Sequence, residues 1–64
     1  MGNTLADMAM NKFNQHVALY RQLFREGKDV SGLAVMLAND MDEVARYCGD
    51  EANKKCHRIV NKIS

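Results

Sequence analysis

Residues 33–48 read LAVMLANDMDEVARYC, and their phase decides the fold. Extended back to Val30, the apolar positions are Val30, Ala34, Leu37, Met41, Val44 and Cys48, in steps of 4, 3, 4, 3 and 4. That rhythm is the seam of a packed α-helix, since a strand would alternate every second residue. Leu33 and Met36 add apolar surface beside the seam. Asp29 or Ser31 can cap its start, so the spacing predicts a helix over about 30–48.

The same rhythm stands upstream. Ala6, Met10, Phe13, Val17, Tyr20 and Phe24 repeat the steps, and Leu5, Leu19 and Leu23 widen the stripe as a globular bundle requires. Thr4 can cap this segment, with Asp7 three residues on in capping-box position. Gly27 is suited to the left-handed turn that ends a helix. A helix over about 4–26 follows. Downstream, Gly49-Asp50 admits two readings. Gly49 ends the second helix and Asp50 starts a third over about 51–63, with the stripe Ala52, Cys56, Ile59 and Ile63. Alternatively, one helix runs on through Gly49 at a cost of about 1 kcal/mol, leaving a two-helix hairpin. The phase change near Cys48 favours the break. The expected fold is an all-α bundle of three helices or a hairpin, completed by homo-oligomerisation. Two matched seams can cover each other, but the wider faces need a second copy.

Sixty-four residues bound the chain to one domain, whose core is small and whose stability is correspondingly modest. Apolar residues make up 47% of it, too many for a disordered segment. No run of apolar residues is long enough to span a membrane. The opening MGNTLADM lacks the basic and apolar regions of a secretory leader, and Ala6 stands where myristoylation wants Ser or Thr. The two cysteines do not form the pattern of a secreted disulfide scaffold, which predicts reduced thiols and a cytoplasmic setting.

Net charge is +1, distributed in blocks. Residues 1–28 carry four bases against two acids, residues 29–51 six acids against Arg46 alone, and residues 52–64 four bases and no acid. Basic, acidic and basic helices can lie side by side in a bundle. A basic tail can also serve nucleic acid or an acidic partner.

Within the opening stretch, Leu33, Ala34, Leu37, Ala38, Val44 and Tyr47 resemble the spacing of a DNA-binding helix-turn-helix, with VARY placed as in many recognition helices. The resemblance implies a turn at Asn39-Asp40-Met41, base reading by Arg46 and a basic C-terminal helix on phosphates. Asn39 replaces the usual buried aliphatic. Asp40, Asp42 and Glu43 would face the phosphate-lined groove and be repelled by it. The longer stretch VALYRQLFREGKDVSGLAVMLANDMDEVARY resembles the small hairpin phosphatases that act on the response regulator of endospore formation. Their Ser-Gln-x-Leu-Asp corresponds to Ala38, Asn39, Asp40, Met41 and Asp42, followed by Val44-Ala45 and Tyr47. Asp42 fits that pattern, but Ser and Gln are missing. Core packing accounts for the apolar positions without either function, leaving Asp40, Asp42, Glu43 and Arg46 on a solvated face where Glu43 and Arg46 can pair.

Metal chemistry finds little footing. Cys48 and Cys56 would lie about 12 Å apart on a continuous helix, and no C-x-x-C is present. With His16 and His57 they form no recognised nucleophile–base spacing, and there is no glycine-rich phosphate loop. His16 flanks the first stripe as a partly buried core-edge residue. Met8 and Met36 lie off the seams and mark a partner site if they are exposed. These features predict a small non-enzymatic regulatory or inhibitor protein without cofactor. It would bind another protein as a homodimer through Asp40, Asp42, Glu43 and Arg46 on one face and Lys54, Lys55, Arg58 and Lys62 on another. The alternative is a DNA-binding regulator that uses residues 33–48.

Overall fold

A computed structural model describes residues 4–63, which form three α-helices: α1 (Thr4–Arg25), α2 (Ser31–Cys48) and α3 (Asp50–Ile63). The helix break predicted at Gly49 is present, so the chain is a three-helix bundle rather than a hairpin. Both α1 and α3 pack on α2, and their direct contact with each other is slight. The chain runs up, down and up, within extents of 40 × 18 × 15 Å.

Glycine makes both reversals. At the end of α1, Gly27 takes φ 75°, and its N–H donates to Phe24 O at 3.1 Å. The Lys28 N–H donates to Leu23 O at 2.9 Å. This is a Schellman closure, which satisfies carbonyls the helix leaves unpaired. Asp29 then accepts from both the backbone N–H of Ser31 (2.9 Å) and its hydroxyl (2.8 Å), so the carboxylate secures the start of α2. At the second reversal Gly49 takes φ 94° and ψ 174°, a conformation nearly exclusive to glycine. Its N–H reaches back to Val44 O at 3.2 Å, and its carbonyl accepts from Asn53 N–H at 3.2 Å.

The core is built from Ala9, Phe13, Val17 and Tyr20 of α1, Leu33, Leu37, Met41 and Val44 of α2, and Cys56 of α3. The predicted seams are therefore right in period and partly wrong in phase. Leu33 is buried where Ala34 was expected, and Ala9 is buried beside the half-buried Ala6. Phe24, expected in the α1 seam, is 59% exposed. For α2 the reason is the third helix. The buried sector of a helix flanked on one side follows one seam, but α2 must face α1 and α3 at once. Its buried set, Leu33, Leu37, Asp40, Met41 and Val44, is wider than a two-helix seam and displaced from it.

No helix among the described residues is long and apolar enough to cross a membrane. The cap expected at Thr4 depends on residues before it that lie outside those described, and Thr4 itself is the first residue of α1.

Candidate functional site

Two clefts and one charged stripe carry the chemistry-bearing residues. The first cleft runs along the outer side of the α1–α2 pair. Lys12 Nζ donates to both oxygens of Glu43, at 2.9 and 3.1 Å, and one turn further along His16 Nδ1 bonds Asp40 Oδ2. Facing an ionised carboxylate, which only accepts, Nδ1 is the donor. The ammonium of Lys12 is held above its ordinary pKa, first by the hydrogen bond to Glu43 and then by the charges of Glu43 and Asp40. Met36 and Asn39 complete the lining of a shallow depression of about 320 Å³. On the α1–α2 pair Leu5, Met8, Leu19 and Met36 leave large apolar areas in solvent, 56% for Met8 and 43% for Met36. Leu5, Met8, Lys12 and Leu19 share one side of α1 by helical periodicity, the side from which Lys12 reaches α2.

This geometry corrects the acidic face expected from the sequence. Asp40 is 3% exposed and sits in the bundle against His16, not on the solvated face where the sequence placed it. Burying a carboxylate is tolerable here because a ring N–H faces it. Glu43 pairs with Lys12 across the hairpin and not with Arg46 along its own helix. Asp42 and Arg46 remain exposed, one turn apart on the outer side of α2. The turn that the helix-turn-helix resemblance placed at Asn39-Asp40-Met41 is absent, because residues 31–48 form one uninterrupted helix with these three at its middle.

The four basic residues of α3 lie on its surface. Lys54, Lys55, Arg58 and Lys62 are all exposed, and Lys54, Arg58 and Lys62 at steps of four form one stripe on the outer side of α3. Lys54 lies 3.9 Å from Glu51, a weak surface pair. On the inner side, Asn53 Nδ2 donates to Met41 O at 2.8 Å, tying α3 to the middle of α2.

The second cleft lies where the C-terminal ends of α1 and α3 meet. Arg21, Phe24 and Arg25 of α1 and Lys62 and Ile63 of α3 enclose about 610 Å³ of open space. Phe24 is braced by offset stacking on Tyr20, with ring centroids 6.1 Å apart and planes 9° from parallel. Of these residues only Lys62 was expected at a binding surface. The sequence signal for the others is an aromatic ring between two arginines, Arg21 three residues before Phe24 and Arg25 directly after it, which was read instead as seam.

Of the two thiols, Cys56 is poorly placed for nucleophilic work. Cys56 is fully buried, and desolvation, with Cys48 and Asp40 nearby, pushes its pKa above the ordinary value. A catalytic thiol needs the opposite shift. Cys48 Sγ donates to Ala6 O at 3.4 Å. Among the described residues, no group of three or more His, Cys, Asp or Glu side chains is arranged to hold a metal ion.

No family model, no curated protein and no solved structure matches the chain.

Proposed function

We propose that this chain is a small non-enzymatic regulatory or inhibitor protein that works by binding another protein, with the open α1–α2 face as its contact surface. The exposure of Met8 and Met36 beside Leu5 and Leu19 is the observation that carries the reading. Unbranched thioethers adapt to a partner's shape, and apolar side chains of this size are depleted from surfaces that only meet water. The Lys12–Glu43 pair at the centre of the face neutralises its own charge, which permits apolar contact around it. A second copy can cover this face by two-fold symmetry, placing Met8 and Met36 of each protomer against the other. The free thiols of Cys48 and Cys56 suit a reducing cytoplasm.

Light scattering tests the homodimer directly. The expected mass at high micromolar concentration is twice the 7.2 kDa of the single chain, falling to 7.2 kDa for the Met8→Ser/Met36→Ser variant. Capture from a native lysate after nuclease treatment tests the wider reading. A stoichiometric protein should be retained by the wild type and lost with the same double variant. A monomeric wild type removes the homodimer. Equal capture by the variant removes this face as the contact surface.

A further inference from the structure

The cleft between the C-terminal ends of α1 and α3 has a composition the α1–α2 face lacks. It concentrates cations around an exposed aromatic ring. Arg21, Arg25 and Lys62 converge on it from two helices, and none of the three is in an ion pair among the described residues. The nearest acid in sequence, Glu26, is already engaged by Lys28 at 3.2 Å and by Gln22 Nε2, also at 3.2 Å. Basic residues near a helix C-terminus complement its dipole, but each end carries only about half a charge. Two C-termini meet here, and the N-terminus of α2 at the same end of the bundle offsets one of them. A net positive charge is left over.

Phe24 adds a second, independent feature. A phenylalanine held 59% exposed by stacking on Tyr20 gains nothing from solvent. Of the α1 seam Ala6, Met10, Phe13, Val17, Tyr20 and Phe24, it is the one residue left exposed, and a position that breaks a local pattern in this way is where function is expected. Cations around an exposed ring are the elements of a single-strand nucleic-acid platform: charges follow the phosphates, and a base stacks on the aromatic face. A duplex keeps its base faces covered, so Phe24 would be idle against one. We propose that Arg21, Phe24, Arg25 and Lys62 form a binding site for single-stranded nucleic acid, in which Phe24 stacks an unpaired base and the three cations hold the flanking phosphates. The site shares no residue with the α1–α2 face and stands apart from the protein-binding reading.

Fluorescence anisotropy over a salt series provides the test. The probes are labelled oligo-dT of about 20 nucleotides, a hairpin duplex of similar length, and poly-glutamate. The oligo-dT should bind more tightly than either of the others. Three phosphate contacts give a slope of log K against log salt of about −2, at ~0.7 per contact. The Arg21→Gln/Arg25→Gln variant should reduce that slope to about −0.7. Phe24→Leu keeps apolar bulk and loses the ring, and should weaken oligo-dT binding by about fivefold or more, with Phe24→Ala at least as damaging. All these side chains are exposed, and an unchanged helical circular dichroism spectrum verifies the fold. Undetectable oligo-dT binding overturns the site, as does equal affinity for the duplex. Wild-type affinity in Phe24→Leu overturns the stacking platform. Preference for poly-glutamate would assign the cleft to an acidic peptide instead.

Discussion

His16 on α1 and Asp40 on α2 are bonded to each other within the bundle, and Asp40 keeps only 3% of its surface in contact with solvent. No other charged side chain among the described residues is buried. The pair stands one turn from Lys12–Glu43, so the two helices are pinned by two polar contacts on the same side of the hairpin. Polar pairs at such places fix register more than they add stability, because apolar packing at the same positions tolerates sliding.

Removing one member of the buried pair should therefore cost more than removing both. His16→Ala leaves the Asp40 carboxylate without its donor, at a cost of about 1–3 kcal/mol. A chain of this length has only about 3–10 kcal/mol in total, so the urea midpoint should fall clearly. The His16→Leu/Asp40→Leu double variant replaces both polar groups by packed apolar ones and should recover most of the loss. A double variant as unstable as the single would show that the pair contributes more than mutual satisfaction.

Asp29 gives the bundle a defined acid limb. Its carboxylate is held below the usual value of 3.8 by the backbone N–H of Ser31 first and the Ser31 hydroxyl second. A depressed pKa means that the folded state favours the ionised form. The contribution is thus complete above the unfolded value and is lost as pH falls through the folded one. Asp29→Ala should be less stable than wild type at pH 7, and the gap should narrow as pH falls below the usual 3.8. Urea titrations at pH 7, 4 and 2.5 measure it. A gap of the same size at pH 7 and pH 2.5 would mean that Asp29 acts through something other than its charge.

The cross-hairpin pairs were legible in principle. Lys12 pairs with Glu43 and His16 with Asp40, residue numbers that add to 55 and 56, about twice the loop centre at residue 28. An antiparallel hairpin with that loop sets this register, which by itself places Asp40 opposite His16. Composition points the other way, since Asp40 stands in a run of acids and a carboxylate is rarely buried. The helices themselves followed from periodicity, and the break from Gly49. What periodicity could not supply was the direction from which α3 approaches, and this decides whether Leu33 or Ala34 is inside and leaves Phe24 outside. That direction depends on the φ and ψ of Gly49 and on the Asn53–Met41 bond, a contact between residues twelve apart that leaves no pattern in the sequence.

Gly49 should accordingly be the least replaceable turn residue. A methyl group there meets no atom within 4 Å, so an alanine fails by conformation and not by collision. Holding an alanine at φ 94° and ψ 174° costs about 1–3 kcal/mol. The cheaper escape is for α2 to run on into α3, which tears Asn53 from Met41 and exposes Cys56. Gly49→Ala should lower the urea midpoint while helical circular dichroism stays level or rises. Unchanged stability would show that the reversal can be made without positive φ.

The two thiols should then report on the docking of α3. Cys48 is partly exposed at the end of α2, whereas Cys56 is fully buried and its pKa is raised by desolvation. Thiolate is the reactive form, so burial protects Cys56 twice, by excluding the reagent and by keeping the proton on sulfur. Brief treatment with iodoacetamide at pH 8, followed by peptide mass spectrometry, should modify Cys48 well before Cys56. In Asn53→Ala, which removes the bond to Met41, Cys56 should become modified several-fold faster while the Cys48 rate changes little. The opening measured this way is local, since α1 and α2 remain joined through Phe13, Leu37 and Val44. Equal rates for both thiols in the wild type would mean that α3 is undocked for much of the time. Unaltered protection of Cys56 in Asn53→Ala would assign the docking of α3 to its apolar stripe alone.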